Sequence, residues 1–329
     1  MPNTFKALVL NKNDDQTYSE FKQLDLADLP DGDVVVSISH SSLNYKDGLA
    51  VTGAGKIIRN FPFVPGIDLA GVVESSESEK FKVGDAVLLT GWGVGEKYWG
   101  GFSQKARLNA KWLTAMPEGL TPSRAMAIGT AGFTAMLSIM ALEKYGISRK
   151  NGPVLVSGAN GGVGSMAVTM LAALGYEVTA STGRLEESDF LKYLGARNII
   201  PRSDLAHKSK PLEKEKYNGA IDTVGGQPLA SLLSQLSYGT AVAACGLAAG
   251  MELPTTVFPF ILRNVALLGV DSVMCPAAKR ELTWQRIVEI LPMDKLDSLT
   301  NTITFEQLPI AAIAILKGEI RGRTVVTIE

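Results

Sequence analysis

Residues 156 to 168, Val-Ser-Gly-Ala-Asn-Gly-Gly-Val-Gly-Ser-Met-Ala-Val, have the types and spacing needed to hold a pyrophosphate. Gly161 lets backbone approach the phosphates, and Gly164 lets a following helix pack closely on the preceding strand. A helix opening at Gly162 offers unpaired N–H groups to the anion, with Asn160 and Val163 on either side of that start. Ala159 stands where a first glycine is usual, and small size is the main need there. Further on, Ser181-Thr182-Gly183-Arg184 closes the next strand-like run with no carboxylate before Glu186. A carboxylate at that point accepts a ribose 2′-hydroxyl and repels a 2′-phosphate, whereas hydroxyls and a guanidinium donate to the phosphate. The expected cofactor is therefore NADPH, which makes hydride transfer the expected chemistry. Arg202, just past the third strand, is a candidate to lie beside the same phosphate or the adenine.

The elements that must position these residues are legible in the apolar pattern. Up to about residue 125, short β-like runs such as KALVL, DVVVSIS, LAGVVESS and DAVLLTG are separated by turn signals, an all-β texture. From residue 127 a buried helix is expected, and strands then alternate with helices: PVLVSG, a helix from Gly162, EVTAST, a helix from Glu186, NIIP, GAIDTV, a helix from Pro228, TAVAAC and VALLGV. Six apolar strands with crossovers of helical length predict a parallel sheet covered on both faces. After Pro276 an amphipathic helix around LTWQRIVEIL precedes a last strand, RTVVTIE, expected to return to the N-terminal β region. The domains expected are residues 1–127, 128–274 as the dinucleotide-binding domain, and 275–329 returning to the first.

Composition excludes several classes. The 329 residues are 46% hydrophobic and 20% charged, with a net charge of −1, so no global field draws the chain to nucleic acid or an anionic membrane. No run of about 18 apolar residues is evident and the N-terminus lacks the pattern of a signal peptide, so a cytoplasmic location is expected. Cys245 and Cys275 form no CxxC arrangement and read as small buried hydrophobes. His40 and His207 suggest no metal site.

Together GIDLAGVV, FKVGDAVL and SGANGGVG resemble the medium-chain dehydrogenase/reductase superfamily over essentially the whole chain. More narrowly, NYKDGLAVTG, GTAGFTAML, DTVGG, PFILRN, GVDSV and GRTVV resemble its acrylyl-CoA reductases and YhdH/YhfP-type quinone oxidoreductases. The resemblance implies a GroES-like catalytic domain, a Rossmann domain and a nicotinamide site between them. It also exposes a departure: zinc-dependent relatives carry a Gly-His-Glu segment where this chain has Gly66-Ile67-Asp68, and no cysteine precedes Cys245. Without three suitable protein ligands no catalytic zinc is expected, and the chemistry suits a substrate already activated by conjugation.

In that family Asn44-Tyr45-Lys46-Asp47 occupies the segment where zinc relatives present their first ligand. Tyr45 would position the cofactor, deliver a proton or simply pack, while Asn44 and Asp47 would hold the loop by hydrogen bonds. After the fifth strand, Cys245-Gly246-Leu247 lies at the edge where such sheets bind ligands, and Leu247, Ile261 and the Asp271-Ser272 turn are candidates for the nicotinamide side. The loop at 91–101 is a candidate for the pocket mouth. The substrate reading is acrylyl-CoA, reduced to propionyl-CoA, with a quinone or enone as the alternative. A coenzyme A thioester requires basic residues at a rim, for which Lys56, Arg59, Lys97, Arg321 and Arg323 are candidates. Because the sixth strand, residues 264–273, reads as a long apolar sheet edge, a homodimer paired through it is expected.

Overall fold

The structure, a computed structural model, describes residues 4–14 and 16–328. In chain order the elements are β1 (Thr4–Asn13), β2 (Gln16–Asp25), β3 (Val34–Leu43), α1 (Tyr45–Thr52), β4 (Asp68–Ser76), β5 (Ala86–Thr90), β6 (Lys105–Leu108), β7 (Thr114–Ala115) and α2 (Pro122–Tyr145). There follow β8 (Val154–Val156), α3 (Gly162–Ala173), β9 (Val178–Thr182), α4 (Ser188–Leu194), β10 (Asn198–Pro201), α5 (Ser203–Ala206), β11 (Ala220–Asp222), α6 (Gly226–Gln235), β12 (Ala241–Ala244), α7 (Phe258–Arg263) and β13 (Ala266–Gly269). The chain closes with α8 (Ala277–Ile290), α9 (Met293–Ser298), β14 (Thr300–Thr304), α10 (Leu308–Leu316) and β15 (Arg323–Thr327). Two compact units result: one from the residues up to Thr130 with Val273–Val288 and the chain from Leu299 onward, the other from Ala131–Ser272 with Glu289–Ser298.

In the first unit β1 and β2 form a separate antiparallel ribbon. The main sheet runs β14-β15-β3-β4-β5-β7, with β6 also paired to β3. Period-two alternation buries Val34, Val36 and Ile38 of β3 against Leu69, Val87, Leu89 and Leu108, so one face of the sheet makes the core. The last strand returns as expected: β15 pairs antiparallel with β3, Thr324 facing Leu43 and Val326 facing Ser41. The all-β expectation for this region misses α1. Asn44 precedes the first helical residue and its N–H donates to Asp47 Oδ2 three residues on (2.9 Å), the acidic half of a capping box that starts a helix.

The second unit holds six parallel strands in the order β10-β9-β8-β11-β12-β13, the doubly wound arrangement expected. Its inner strands β8 and β11 are buried along their whole lengths, as a sheet covered on both faces requires. β13 is an edge strand but only four residues long and alternately exposed, shorter than the apolar run from 264 to 273 suggests. Residues 289–298 belong with this unit, interrupting the return over 275–329. Leu291 and Leu296 are buried, and Lys295 Nζ donates to Leu194 O at 3.1 Å.

The helix expected from residue 127 starts earlier, at Pro122, and is broken at Gly129, whose φ of +48° and ψ of −159° are outside the helical region. Contrary to the sequence reading, this segment is long and apolar enough by length and composition to cross a membrane, with a mean hydropathy of 1.7; 83% of that stretch is buried within the protein.

Candidate active and cofactor sites

In the second unit the buried strand β8 leads into a turn at Gly158, where φ is +60° and an added Cβ would meet Thr223 Oγ1 at 2.4 Å. Gly164 has even less room: a Cβ there would sit 2.2 Å from Gly158 O, so α3 can lie this close to the turn only with glycine at that position. Gly161 is exposed, Gly162 and Val163 are half-buried, and all three open α3 as expected, with unpaired N–H groups at the helix start. Asn160 is buried beside them. Its Oδ1 accepts the Thr182 hydroxyl, but its Nδ2 has no partner among the described residues. A buried, unpaired donor costs about 1–3 kcal/mol, and a phosphate or ribose oxygen at the turn would satisfy it.

At the end of β9 the structure redistributes the roles read from the sequence. Ser181 and Thr182 are both buried, and the Thr182 hydroxyl also accepts the Arg184 N–H at 2.9 Å, so Thr182 shapes the turn. The charged donors here are Arg184, half-buried, and Arg202, exposed. Arg202 N–H donates to Thr182 O at 2.7 Å, and its side chain lies over Gly183, where an added Cβ would meet Cδ at 2.8 Å and Nε at 2.9 Å. Two guanidinium-bearing residues thus flank Gly183 with no carboxylate on the strand end. The residues present fit a dinucleotide carrying a 2′-phosphate.

The loops after β11 and β12 lie at the same carboxyl edge of the sheet. Gly246 packs so closely on Thr223 O that an added Cβ would come within 2.0 Å of it. Leu247 follows, 64% exposed. Burial pushes the Cys245 thiol up to about 12, which leaves it protonated and inert. Ser272 follows β13 at this edge, half-buried, while Ile261 is an exposed residue of α7 that, among the described residues, no hydrogen bond joins to the glycine turn.

In the first unit a buried polar cluster surrounds the start of α1. Asp68, on β4, accepts from Ser42 Oγ (2.6 Å), Asn44 Nδ2 (2.9 Å), Thr130 N–H (2.9 Å) and Thr130 Oγ1 (2.5 Å). Arg323 donates from Nε to Ala127 O (2.8 Å), from one terminal nitrogen to Asn44 Oδ1 (3.1 Å) and from the other to Met126 O (3.4 Å). The break at Gly129 explains this arrangement. It leaves free carbonyls at the end of one helical stretch and free N–H groups at the start of the next, and the cation caps the first while the anion caps the second. A Cβ at position 129 would meet Asp68 Oδ2 at 2.6 Å and an Arg323 terminal nitrogen at 2.8 Å. Arg323 is 2% exposed, so it cannot serve at a rim. Burial works against its charge, and Asp68 and Asp47 beside it favour that charge.

Asp47 accepts the Asn44 N–H and, on Oδ1, the Ile67 N–H at 3.0 Å. Burial first and the Asp68 charge second push its carboxyl from 3.8 to about 7, against the pull of those hydrogen bonds. Tyr45 begins α1 and is 45% exposed. Of the residues singled out in sequence, Asn44 and Asp47 lie in this network and Tyr45 beside it in the chain, whereas Asp68, which sequence reasoning left out, joins them and Arg323 is buried rather than at a rim. The signal available was Asp68 itself, at a position compared only with a metal-ligand pattern.

The donor set does not fit a catalytic zinc. Each carboxylate here already accepts backbone or side-chain donors, and a guanidinium occupies their midst. Among the described residues no three His, Cys, Asp or Glu side chains gather as a metal-binding group. His40, on β3, is held toward its neutral form by burial, and His207 is exposed.

Comparison with known proteins agrees with both halves. The alcohol dehydrogenase GroES-like domain family matches residues 30–118, and the zinc-binding dehydrogenase family matches 162–289. The acrylyl-CoA reductase AcuI of Ruegeria pomeroyi is 53% identical over 327 residues, covering 98% of this chain and 99% of that protein. YhfP of Bacillus subtilis, which its name assigns provisionally to the quinone oxidoreductases, is 45% identical over 99% of both chains. The crystal structure of the YhdH oxidoreductase from Salmonella enterica in complex with NADP superposes with a TM-score of 0.97, at 53% identity over 98% of this chain and 100% of that one. The crystal structure of YhfP, with NAD bound, gives 0.96 at 44% identity over 99% and 100%. With an oxidoreductase fold matched over nearly its full length, this chain belongs to the medium-chain dehydrogenase/reductase superfamily, in the group formed by acrylyl-CoA reductases and YhdH/YhfP-type oxidoreductases.

Proposed function

We propose that this protein is a zinc-independent, NADPH-dependent reductase of an activated carbon–carbon double bond, converting acrylyl-CoA and NADPH with one proton to propionyl-CoA and NADP⁺. The observation that carries the reading is the strand end at Gly183, where Arg184 and Arg202 replace a ribose-binding carboxylate, beside a glycine turn with an unpaired Asn160 donor. The names of the relatives support the substrate, and the NADP in the Salmonella structure supports the cofactor. The NAD in the YhfP structure belongs to that relative.

The second unit acts as the NADPH-binding domain, and the first as a GroES-like catalytic domain. When bound, NADPH supplies a hydride. This chain's own residues must stabilise the negative charge that develops on the thioester oxygen and provide a proton to carbon. Tyr45, at the positive end of α1 and exposed, either donates to the nicotinamide ribose or delivers that proton. Asn44 and Asp47 act beneath it as positioning residues, holding the helix start. The molecule works as a cytoplasmic homodimer joined through the β13 edge. A quinone acceptor is the second reading, favoured by the 45% identity to YhfP.

The test is to follow NADPH oxidation with acrylyl-CoA, a simple enone and a benzoquinone, before and after exhaustive chelation. The highest kcat/KM is expected with acrylyl-CoA, with activity surviving chelation. A higher value with benzoquinone would transfer the assignment to the second reading, and activity lost to the chelator and restored by Zn²⁺ would overturn zinc independence.

A further inference from the structure

The loop after α1 and the loop at 91–101 enclose a pocket of about 470 Å³ in the first unit, lined by Lys56, Ile57, Arg59, Asn60, Phe63, Glu96 and Lys97. Its volume lies within the ordinary range for small-molecule sites. Charge is distributed unevenly around it. Glu96 already has a counter-ion, since Lys46 Nζ lies 2.8 Å from its Oε1. Lys56, Arg59 and Lys97 are exposed, and no hydrogen bond or ion pair engages their side chains among the described residues. The Lys97 stem runs along Gly93, with Cδ 3.5 Å from where a Cβ would stand, so this cation is laid against the loop backbone. Beneath the three cations the wall is apolar, with Phe63 buried and Ile57 half-buried.

Three uncommitted cations above an aromatic and an aliphatic side chain, with one amide between them, suit a purine carrying several phosphate charges. Guanidinium and ammonium groups take the phosphates, while the ring system takes the apolar floor. The pocket is also close to the catalytic helix: Lys46, which holds its Glu96 wall, is the residue after Tyr45. We infer that this pocket holds the nucleotide end of a coenzyme A thioester, its 3′-phosphate and pyrophosphate lying on Lys56, Arg59 and Lys97. The inference rests on the reductase reading above, and it identifies the part of the substrate that the first unit grips. Binding energy gathered there, remote from the double bond, goes into positioning it.

The test uses the full chain saturated with NADP⁺, so that the dinucleotide site is filled, and adenosine 3′,5′-bisphosphate as the probe in isothermal titration. Binding is expected in the wild type, weakening more than tenfold in the Lys56→Ala/Arg59→Ala/Lys97→Ala variant and with rising salt. The substituted side chains are exposed, and an unchanged thermal midpoint checks that the variant folds. In parallel, the ratio of kcat/KM for acrylyl-CoA to that for acrylyl-pantetheine, which lacks the nucleotide, is expected to fall at least tenfold in the variant. Absence of probe binding to the NADP⁺-saturated wild type, or equal binding by the variant, overturns the pocket. If the probe binds as expected while neither thioester is reduced, the nucleotide pocket stands and the reductase reading fails.

Discussion

Two residue-scale features have measurable consequences, one for cofactor choice and one for stability. Arg184 and Arg202 flank Gly183 where a carboxylate would select NADH. NADPH is expected to exceed NADH in kcat/KM by at least about tenfold, a difference of about 1.4 kcal/mol. Arg184→Ala should lose most of that preference by raising KM for NADPH alone, and steady-state kinetics with both cofactors would show it. Asp47 makes the second case. Its folded carboxyl titrates near 7 and its unfolded one near 3.8, so between those values the native state binds the extra proton. Stability contributed by this group is therefore present at low pH and lost as pH rises toward 7. Urea unfolding across pH 4 to 8 should show that decline, and Asp47→Asn, which cannot ionise, should flatten it. An Asp47→Asn protein with an unchanged slope would remove Asp47 as its source.

At the scale of elements, the break in α2 and the burial of Arg323 come from the pairing of polar groups far apart in the chain. Gly161 and Gly164 were legible because their requirements are local: a bare backbone at the turn, and a helix so close to it that a Cβ at Gly164 would lie 2.2 Å from Gly158 O. The start of α1 was also written locally, in Asn44 and Asp47, but short β-like runs on either side masked it. Asp68, Arg323 and the break at Gly129 form one device spread over 255 residues, and Arg323 read alone is an ordinary basic residue. The edge strand β13 is a separate departure. Its apolar run is visible in sequence, yet only Ala266–Gly269 pair as strand. Leu267 on this edge is 37% exposed. If two copies pair here, Leu267→Lys should convert a dimeric mass in analytical ultracentrifugation to a monomeric one, since charge on an edge opposes pairing. A wild-type monomer at micromolar concentration would contradict the dimer.

For the whole molecule, the order of elements was legible while the partition was less so. The six parallel strands and the returning last strand follow from short apolar runs, continuous because these strands are covered on both faces, separated by stretches of helical length. The detour of residues 289–298 into the second unit depends on where Leu291, Lys295 and Leu296 find partners, and no local pattern marks that. The central claim, that hydride passes from NADPH to the carbon–carbon bond of a conjugated thioester, is tested most directly by isotope transfer. NADPH deuterated at the transferring C4 position should yield propionyl-CoA carrying one deuterium at C3, detected by mass spectrometry. Unlabelled propionyl-CoA, or labelled NADPH consumed only when a quinone is present, would contradict the account.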